Sequence, residues 1–223
     1  MPGASMPLVE ACCDSVHTAR AAQEFGASRV ELCGLGDGGS TPSLGMVARC
    51  RDAITIPLFV MIRPQVRDFV YVEDDVEVMC NDIIAMRSLG ADGVVVGPLR
   101  SDDTVHTQQL AEFVRLARPM KVTFHRAFDR TPDAMAAIDE LLLTGTDYVL
   151  TSGQAPTASD GADTLRTLQQ RVGDRLTVMA GGSVRGPTVR KLVQAAGLRA
   201  VHARGTDPTI IRDVVAALSA HSS

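Results

Sequence analysis

Thr123-Phe124-His125-Arg126-Ala127-Phe128-Asp129 is an apolar strand end that runs into three ionisable side chains, with the helix-start signal Thr131-Pro132 just behind it. Strand, short polar turn and helix make one unit, and the chain repeats it. Short β-branched or apolar runs stand at residues 8–11, 29–33, 58–62, 93–97, 121–125, 147–151, 176–180 and 199–203, each followed by a turn and a helix-length stretch. Successive runs are separated by the length of one strand plus one crossover helix, as parallel neighbours require. Eight such units predict an α/β protein, a closed (β/α)8 barrel of the TIM type forming a single domain over residues 1–223. In that fold the junction between a strand's C-terminal end and the next helix is where chemistry is placed.

Composition narrows the partners. A net charge of −4, no basic stripe, and only two Tyr, six Phe and no Trp leave no footprint for nucleic acid. The apolar runs stop short of the roughly 18 residues that a membrane span needs, so no membrane is expected. The start Met1-Pro2-Gly3-Ala4-Ser5-Met6 has no basic region followed by an apolar core, so a cytoplasmic location is expected. The five cysteines would be reduced thiols there. A small-molecule ligand is the remaining default.

Local punctuation sets the helices. Asp14 is the expected N-cap of a helix over residues 15–25 that Gly26 stops; Glu73, Asp74 and Asp75 open one that ends near Gly90; Thr131-Pro132 opens one that ends at Gly145; and Pro187 and Pro208 fall in first helical turns. The glycine-rich residues 34–43 are too long for a tight turn and read as a functional loop over the barrel mouth.

Strand alternation decides which side chains meet inside. Glu10 shares a face with Leu8 and Cys12, and Glu31 shares one with Arg29 and Cys33, whereas Val9, Ala11, Val30 and Leu32 take the opposite, helix-facing side. By the same count Arg63 falls with Phe59 and Met61, His125 with Thr123, and His202 with Ala200. Five ionisable groups therefore converge inside the barrel near its C-terminal mouth. An internal ion-pair network that only fills the barrel is one reading. Buried ion pairs stabilise weakly because each charge must be desolvated, so a site that binds and polarises a ligand is the other. In that reading Glu10, Glu31 and His125 are the acid and base groups, with Arg63 lowering one carboxyl while burial or repulsion raises the other.

Arg126 has the opposite parity and is expected to pin its loop to Asp129, beside the site. Thr151-Ser152-Gly153, Ala180-Gly181-Gly182-Ser183 and Ala203-Arg204-Gly205 end the sixth, seventh and eighth strands. Their N–H groups, with Arg63 and Arg204, suit a small anionic metabolite, and His202 is a further candidate. His17 and His106 fall in helical stretches and His221 in the tail, all read as solvated.

Cys12 and Cys33 have inward parity two residues beyond the two glutamates, so two thiols meet near the mouth. Soft thiolates suit Cu(I) or Zn(II), which makes Cu(I) a candidate cofactor without fixing its identity. Buried reduced cysteine is the competing reading, since the chain has no Cys-x-x-Cys, Cys-x-x-His or Met-x-x-Met. Cys50 and Cys80 lie in helical stretches and read as packing residues.

Several stretches together resemble the CutC family of copper homeostasis proteins, from Leu8 to about Arg204: Glu10-Ala11-Cys12-Cys13-Asp14-Ser15, Gly26-Ala27-Ser28-Arg29-Val30-Glu31-Leu32-Cys33, Gly38-Gly39-Ser40-Thr41-Pro42-Ser43, Met61-Ile62-Arg63-Pro64, Asp68-Phe69-Val70-Tyr71, the heptapeptide quoted first, and Val149-Leu150-Thr151-Ser152-Gly153. The resemblance implies a cytoplasmic barrel, often a homo-oligomer, linked to copper tolerance, with no reaction assigned. Two departures stand out. Where the family usually reads Arg-Pro-Arg-Gly-Gly-Asp-Phe, this chain has Arg63-Pro64-Gln65-Val66-Arg67-Asp68-Phe69. The segment after the last strand is short, with Gly205-Thr206-Asp207-Pro208 leading directly into the final helix.

Overall fold

A computed structural model describes residues 6–34 and 39–220. Strands β1 (Leu8–Cys13), β2 (Arg29–Leu32), β3 (Leu58–Met61), β4 (Gly93–Val96), β5 (Lys121–Phe124), β6 (Tyr148–Thr151), β7 (Thr177–Ala180) and β8 (Ala200–Arg204) pair in sequence order. β8 returns to β1 in parallel and closes the barrel. Between them lie α1 (Val16–Glu24), α2 (Leu44–Ala53), α3 (Glu73–Ser88), α4 (Thr107–Ala117), α5 (Ala134–Thr144), α6 (Ala162–Val172) and α7 (Gly186–Ala196), with α8 (Pro208–Ser219) after β8. The eight-unit reading of the sequence is the architecture observed. No described helix is long and apolar enough to cross a membrane.

Parity sorts two cores. Val9, Ala11, Val30, Leu32, Val60 and Val94 point outward into the layer shared with the helices. Phe59, Met61, Val95 and Cys33 form one inner cluster, and Leu150, Met179 and Ala200 another. Glycine sets how closely the inner side chains fit. A Cβ on Gly93 would lie 2.3 Å from the Phe59 ring, and one on Gly97 would lie 2.1 Å from the His125 ring, so both rings occupy space that any other residue would fill.

Three local expectations need correction. α1 is capped by Ser15, not Asp14: the Ser15 hydroxyl accepts from Thr18 N–H, while Asp14 accepts from the Thr18 hydroxyl. The hydroxyl one position later reaches the free N–H groups, so it takes the cap. Thr131-Pro132 does not open α5 either. A 3-10 turn, Arg126–Arg130, intervenes, and Asp133 caps α5 by accepting from Met135 and Ala136. His106 is the N-cap of α4 rather than a helical residue, its ring accepting from Gln109 N–H. α5 ends at left-handed Gly145, and Pro187 and Pro208 sit in first turns as expected. His221 lies outside the described residues.

Candidate functional site

Register brings the inward residues of three strands together. Glu10 of β1 pairs with Arg29 on one side and His202 on the other, and Cys12 pairs with Glu31 and Arg204. Two layers result, one floor and one mouth.

The floor is closed. Glu10 is fully buried, accepts from Arg29 Nε at 2.5 Å and meets His202 Nδ1 at 2.7 Å. The Arg29 guanidinium lies 3.9 Å from the Phe59 ring centre and 4.1 Å from that of Tyr148, and its Nη2 reaches Met179 Sδ at 3.6 Å. Two aromatic faces and a carboxylate thus surround one cation. Burial alone would raise the Glu10 carboxyl, but the Arg29 charge and the His202 contact outweigh it and hold the group below its usual range.

The mouth layer begins two residues further along. Cys12 Sγ and Cys33 Sγ are 3.8 Å apart as free thiols, and Cys33 Sγ lies 3.2 Å from Glu31 Oε1. Glu31 is 2% exposed, its Oε2 has no hydrogen-bond partner, and His202 Nδ1 is 3.9 Å from that oxygen. Burial pushes the Glu31 carboxyl up to about 8, against the pull of His202. The Cys33 hydrogen bond lowers the Cys12 thiol well below its usual value, with help from His202, and the same bond raises Cys33. His202 would be lowered by burial, yet Glu31, Cys12 and Glu10 raise it well above the ordinary histidine value.

A wall of the mouth is built by β3 and β5. His125 is buried beside Gly97, and its Nδ1 accepts from Ala127 N–H at 3.1 Å. The neutral ring therefore carries its proton on Nε2, which is buried without a partner. Burial, then the Arg63 charge, lowers this histidine to about 3, so it stays neutral. Phe69 packs 4.9 Å from the His125 ring and 4.7 Å from the Arg63 guanidinium. Arg63 in turn donates to Gly39 O at 3.3 Å and Val66 O at 3.1 Å, tying β3 to the loops on either side.

Asp129 organises the neighbouring strand end. It accepts from Thr151 Oγ1 at 2.5 Å, Ser152 N–H at 3.0 Å and Arg126 Nε at 2.8 Å, while Arg126 Nη2 donates to Ser152 Oγ at 3.1 Å. Arg126 pins the loop to Asp129 as its parity implies.

Above these layers opens a cavity of about 540 Å³. Cys12, Cys33, Glu31, Arg63, His125, Arg126, Gly182, His202 and Arg204 line it. Glu10 lies one layer beneath and reaches it only through His202. Thr151, Ser152 and Gly181 do not line it: the first two hold Asp129, and Gly181 packs on Leu150. Gly34 and Gly39 of the glycine-rich loop border the cavity, and residues 35–38 of that loop lie outside the described residues.

A sequence model of the CutC family matches residues 7–206. The chain belongs to the CutC family. It is 41% identical over 196 residues to the mouse copper homeostasis protein cutC homolog, covering 87% of this chain and 72% of that one. It is 43% identical over 197 residues to a CutC family protein of Chromobacterium violaceum, covering 88% and 80%. The crystal structure of a CutC protein from Streptococcus agalactiae superposes with a TM-score of 0.84 at 28% identity, covering 88% of this chain and 98% of that one.

In this CutC barrel the largest omission of the sequence reading is Arg29, whose inward parity was visible but whose pairing with Glu10 was not. Asp14, Phe69 and Arg185 also border the cavity and were not singled out as site residues. The Gln65-Val66-Arg67 departure forms a turn of its own: Gln65 Oε1 accepts from Arg67 N–H at 2.7 Å, and Val66 O receives Arg63.

Proposed function

We propose that this CutC chain serves copper homeostasis by binding Cu(I) as cargo between Cys12 and Cys33 at the barrel mouth. The observation that carries this reading is the 3.8 Å separation of two free thiols, one on β1 and one just past the end of β2, both facing an open cavity. Donor chemistry supports it. Thiolates are soft ligands that favour Cu(I), and one donor atom each of Cys12, Glu31 and Cys33 lies within 4.8 Å of the others. The Glu31 carboxylate, whose Oε1 is 3.2 Å from Cys33 Sγ, is near enough to complete the shell or to take a thiol proton as metal enters. Reduced thiols are consistent with a cytoplasmic setting, the location we assign. The test is an equilibrium titration of reduced protein with Cu(I) against a competing chelator. Cys12→Ser with Cys33→Ser is expected to lower affinity on the order of a hundredfold. Unchanged affinity in that double variant excludes the site.

A second reading is acid–base chemistry on an anionic metabolite. Its specific support is the division of labour between the two glutamates: Glu31 is pushed up to about 8, in the range of a working acid, while Glu10 is held as an anion below His202. His125 serves here as a fixed N–H donor. A metabolite screen checks it: Glu31→Gln should abolish any turnover found while leaving ligand retention intact.

A further inference from the structure

The cavity is far larger than a metal ion needs, and the thiols occupy one side of it. Next to them, β7 and β8 end in groups that suit a different ligand, with Arg204 the register partner of Cys12. The N–H groups of residues 182–184 donate to nothing among the described residues. Gly182 lies against the Arg126 guanidinium, whose Cζ would be 3.5 Å from a Cβ placed there. Arg185 caps the start of α7 without a side-chain cap bond, and exposed Arg204 ends β8; neither joins an ion pair among the described residues. Asp207 lies near enough to feel both charges, and Asp14 borders the cavity, so the cationic field is offset in part.

A second observation is independent of that cradle. His125 is 4% exposed and lines the same cavity, and its Nε2–H has no acceptor. A buried donor left unpaired costs about 1–3 kcal/mol, so its retention calls for a partner delivered from outside. The Nδ1 bond to Ala127 N–H fixes the ring, and Gly97 makes room for it, so the donor is held in place before any ligand arrives.

We propose that the mouth binds a phosphate dianion carried on a small organic molecule. The phosphate sits among Arg126, Arg185, Arg204 and the N–H groups of residues 182–184, and an oxygen of the organic body accepts from His125 Nε2–H. A tetrahedral dianion has enough acceptors for several N–H groups and forked guanidinium donors at once, which a single carboxylate has not. The phosphate donors are other groups than the thiols, although Arg204 neighbours Cys12 in register, and they do not require Cu(I) to be bound.

Calorimetric titration of the metal-free protein with inorganic phosphate, glycerol 3-phosphate and acetate tests it. Saturable binding of both phosphates and none of acetate is expected. Arg185→Ala and Arg204→Ala should each weaken phosphate about tenfold, the scale of one lost charge-assisted bond; Arg204 is exposed, and half-buried Arg185 gives up only its bond to Val184 O, so the fold should persist. His125→Phe should weaken glycerol 3-phosphate but not inorganic phosphate, and His125→Gln, which keeps an N–H donor, should recover part of the loss. Phosphate should also move the Nε2–H resonance of His125 when the organic body is attached. The Cys12→Ser, Cys33→Ser variant should bind phosphate as the parent does, which separates this site from the copper site. No saturable phosphate binding to the parent, equal binding of acetate, or parent-like affinity in both arginine variants would overturn the proposal.

Discussion

Glu10 and Glu31 stand on adjacent strands with the same inward parity, both buried, and they end in opposite states. Glu10 in the floor has Arg29 and His202 within hydrogen-bond reach and remains an anion. Glu31 in the mouth has a thiol on one oxygen and nothing bonded to the other, and burial raises it to about 8. Parity alone puts a carboxyl inside a barrel; the partners on the neighbouring strands decide whether it is structural or free to act. The floor consequently pairs both oxygens of its carboxylate and leaves Arg29 Nη1 without a hydrogen-bond partner, whereas the mouth keeps a carboxylate oxygen and the His125 N–H open to a ligand.

The largest effect is expected in the floor. Arg29→Met leaves Glu10 buried without its main partner and should destabilise the fold by about 3–5 kcal/mol in urea unfolding. Adding Glu10→Leu should restore much of that stability, because the uncompensated charge is then gone. A small effect of Arg29→Met would erase the distinction between floor and mouth.

Opposite responses to pH come next. Glu10 is held below its ordinary value, so its contribution is complete above that value and is lost as pH falls through the folded-state value. Glu31 is raised from 4.5 to about 8, so its proton is retained only in the folded chain; stability from it is complete below 4.5 and is lost as pH rises toward 8. That loss amounts to about 1.4 kcal/mol per pH unit within the window. His202, raised above 6.5, acts in the same direction at higher pH. In metal-free protein, the unfolding free energy of the parent relative to Glu31→Gln should fall between pH 5 and 8. His125, lowered to about 3, adds the opposite slope up to 6.5, and the lowered Cys12 thiol also opposes it. A difference between parent and variant that stays constant from pH 5 to 8 is therefore what contradicts the assignment.

Packing effects are smaller. Gly93→Ala drives a methyl into Phe59 in the floor, and Gly97→Ala drives one into His125 in the wall of the mouth, each costing about 1–3 kcal/mol. Only the Gly97 variant should also disturb ligand binding. Arg49→Ala, which breaks an exposed pair with Asp52, should shift stability by less than about 1 kcal/mol.

The eight strands and their inward faces were legible because parallel barrel strands carry short β-branched runs at a regular spacing, and alternation follows from strand geometry. Cys12 and Cys33 were likewise brought together by parity. What sequence could not supply was reach across strands. Arg29 faces inward by parity, but its guanidinium is enclosed by Phe59 and Tyr148, residues from two other strands, through contacts that no one strand's pattern contains. Asp129 was tied to Arg126 by proximity in the chain, whereas its bonds to Thr151 and Ser152 depend on how β5 and β6 align. The helix starts near Asp14 and Thr131 were displaced by one or two residues because a neighbouring Ser15 or Asp133 reached the free N–H groups better.

Copper K-edge X-ray absorption on reduced protein loaded with one equivalent of Cu(I) tests the central claim most directly. Sulfur donors from Cys12 and Cys33 should dominate the first shell and disappear in the Cys12→Ser, Cys33→Ser variant. A shell of nitrogen and oxygen donors alone, or a spectrum that the double substitution leaves unchanged, would contradict it.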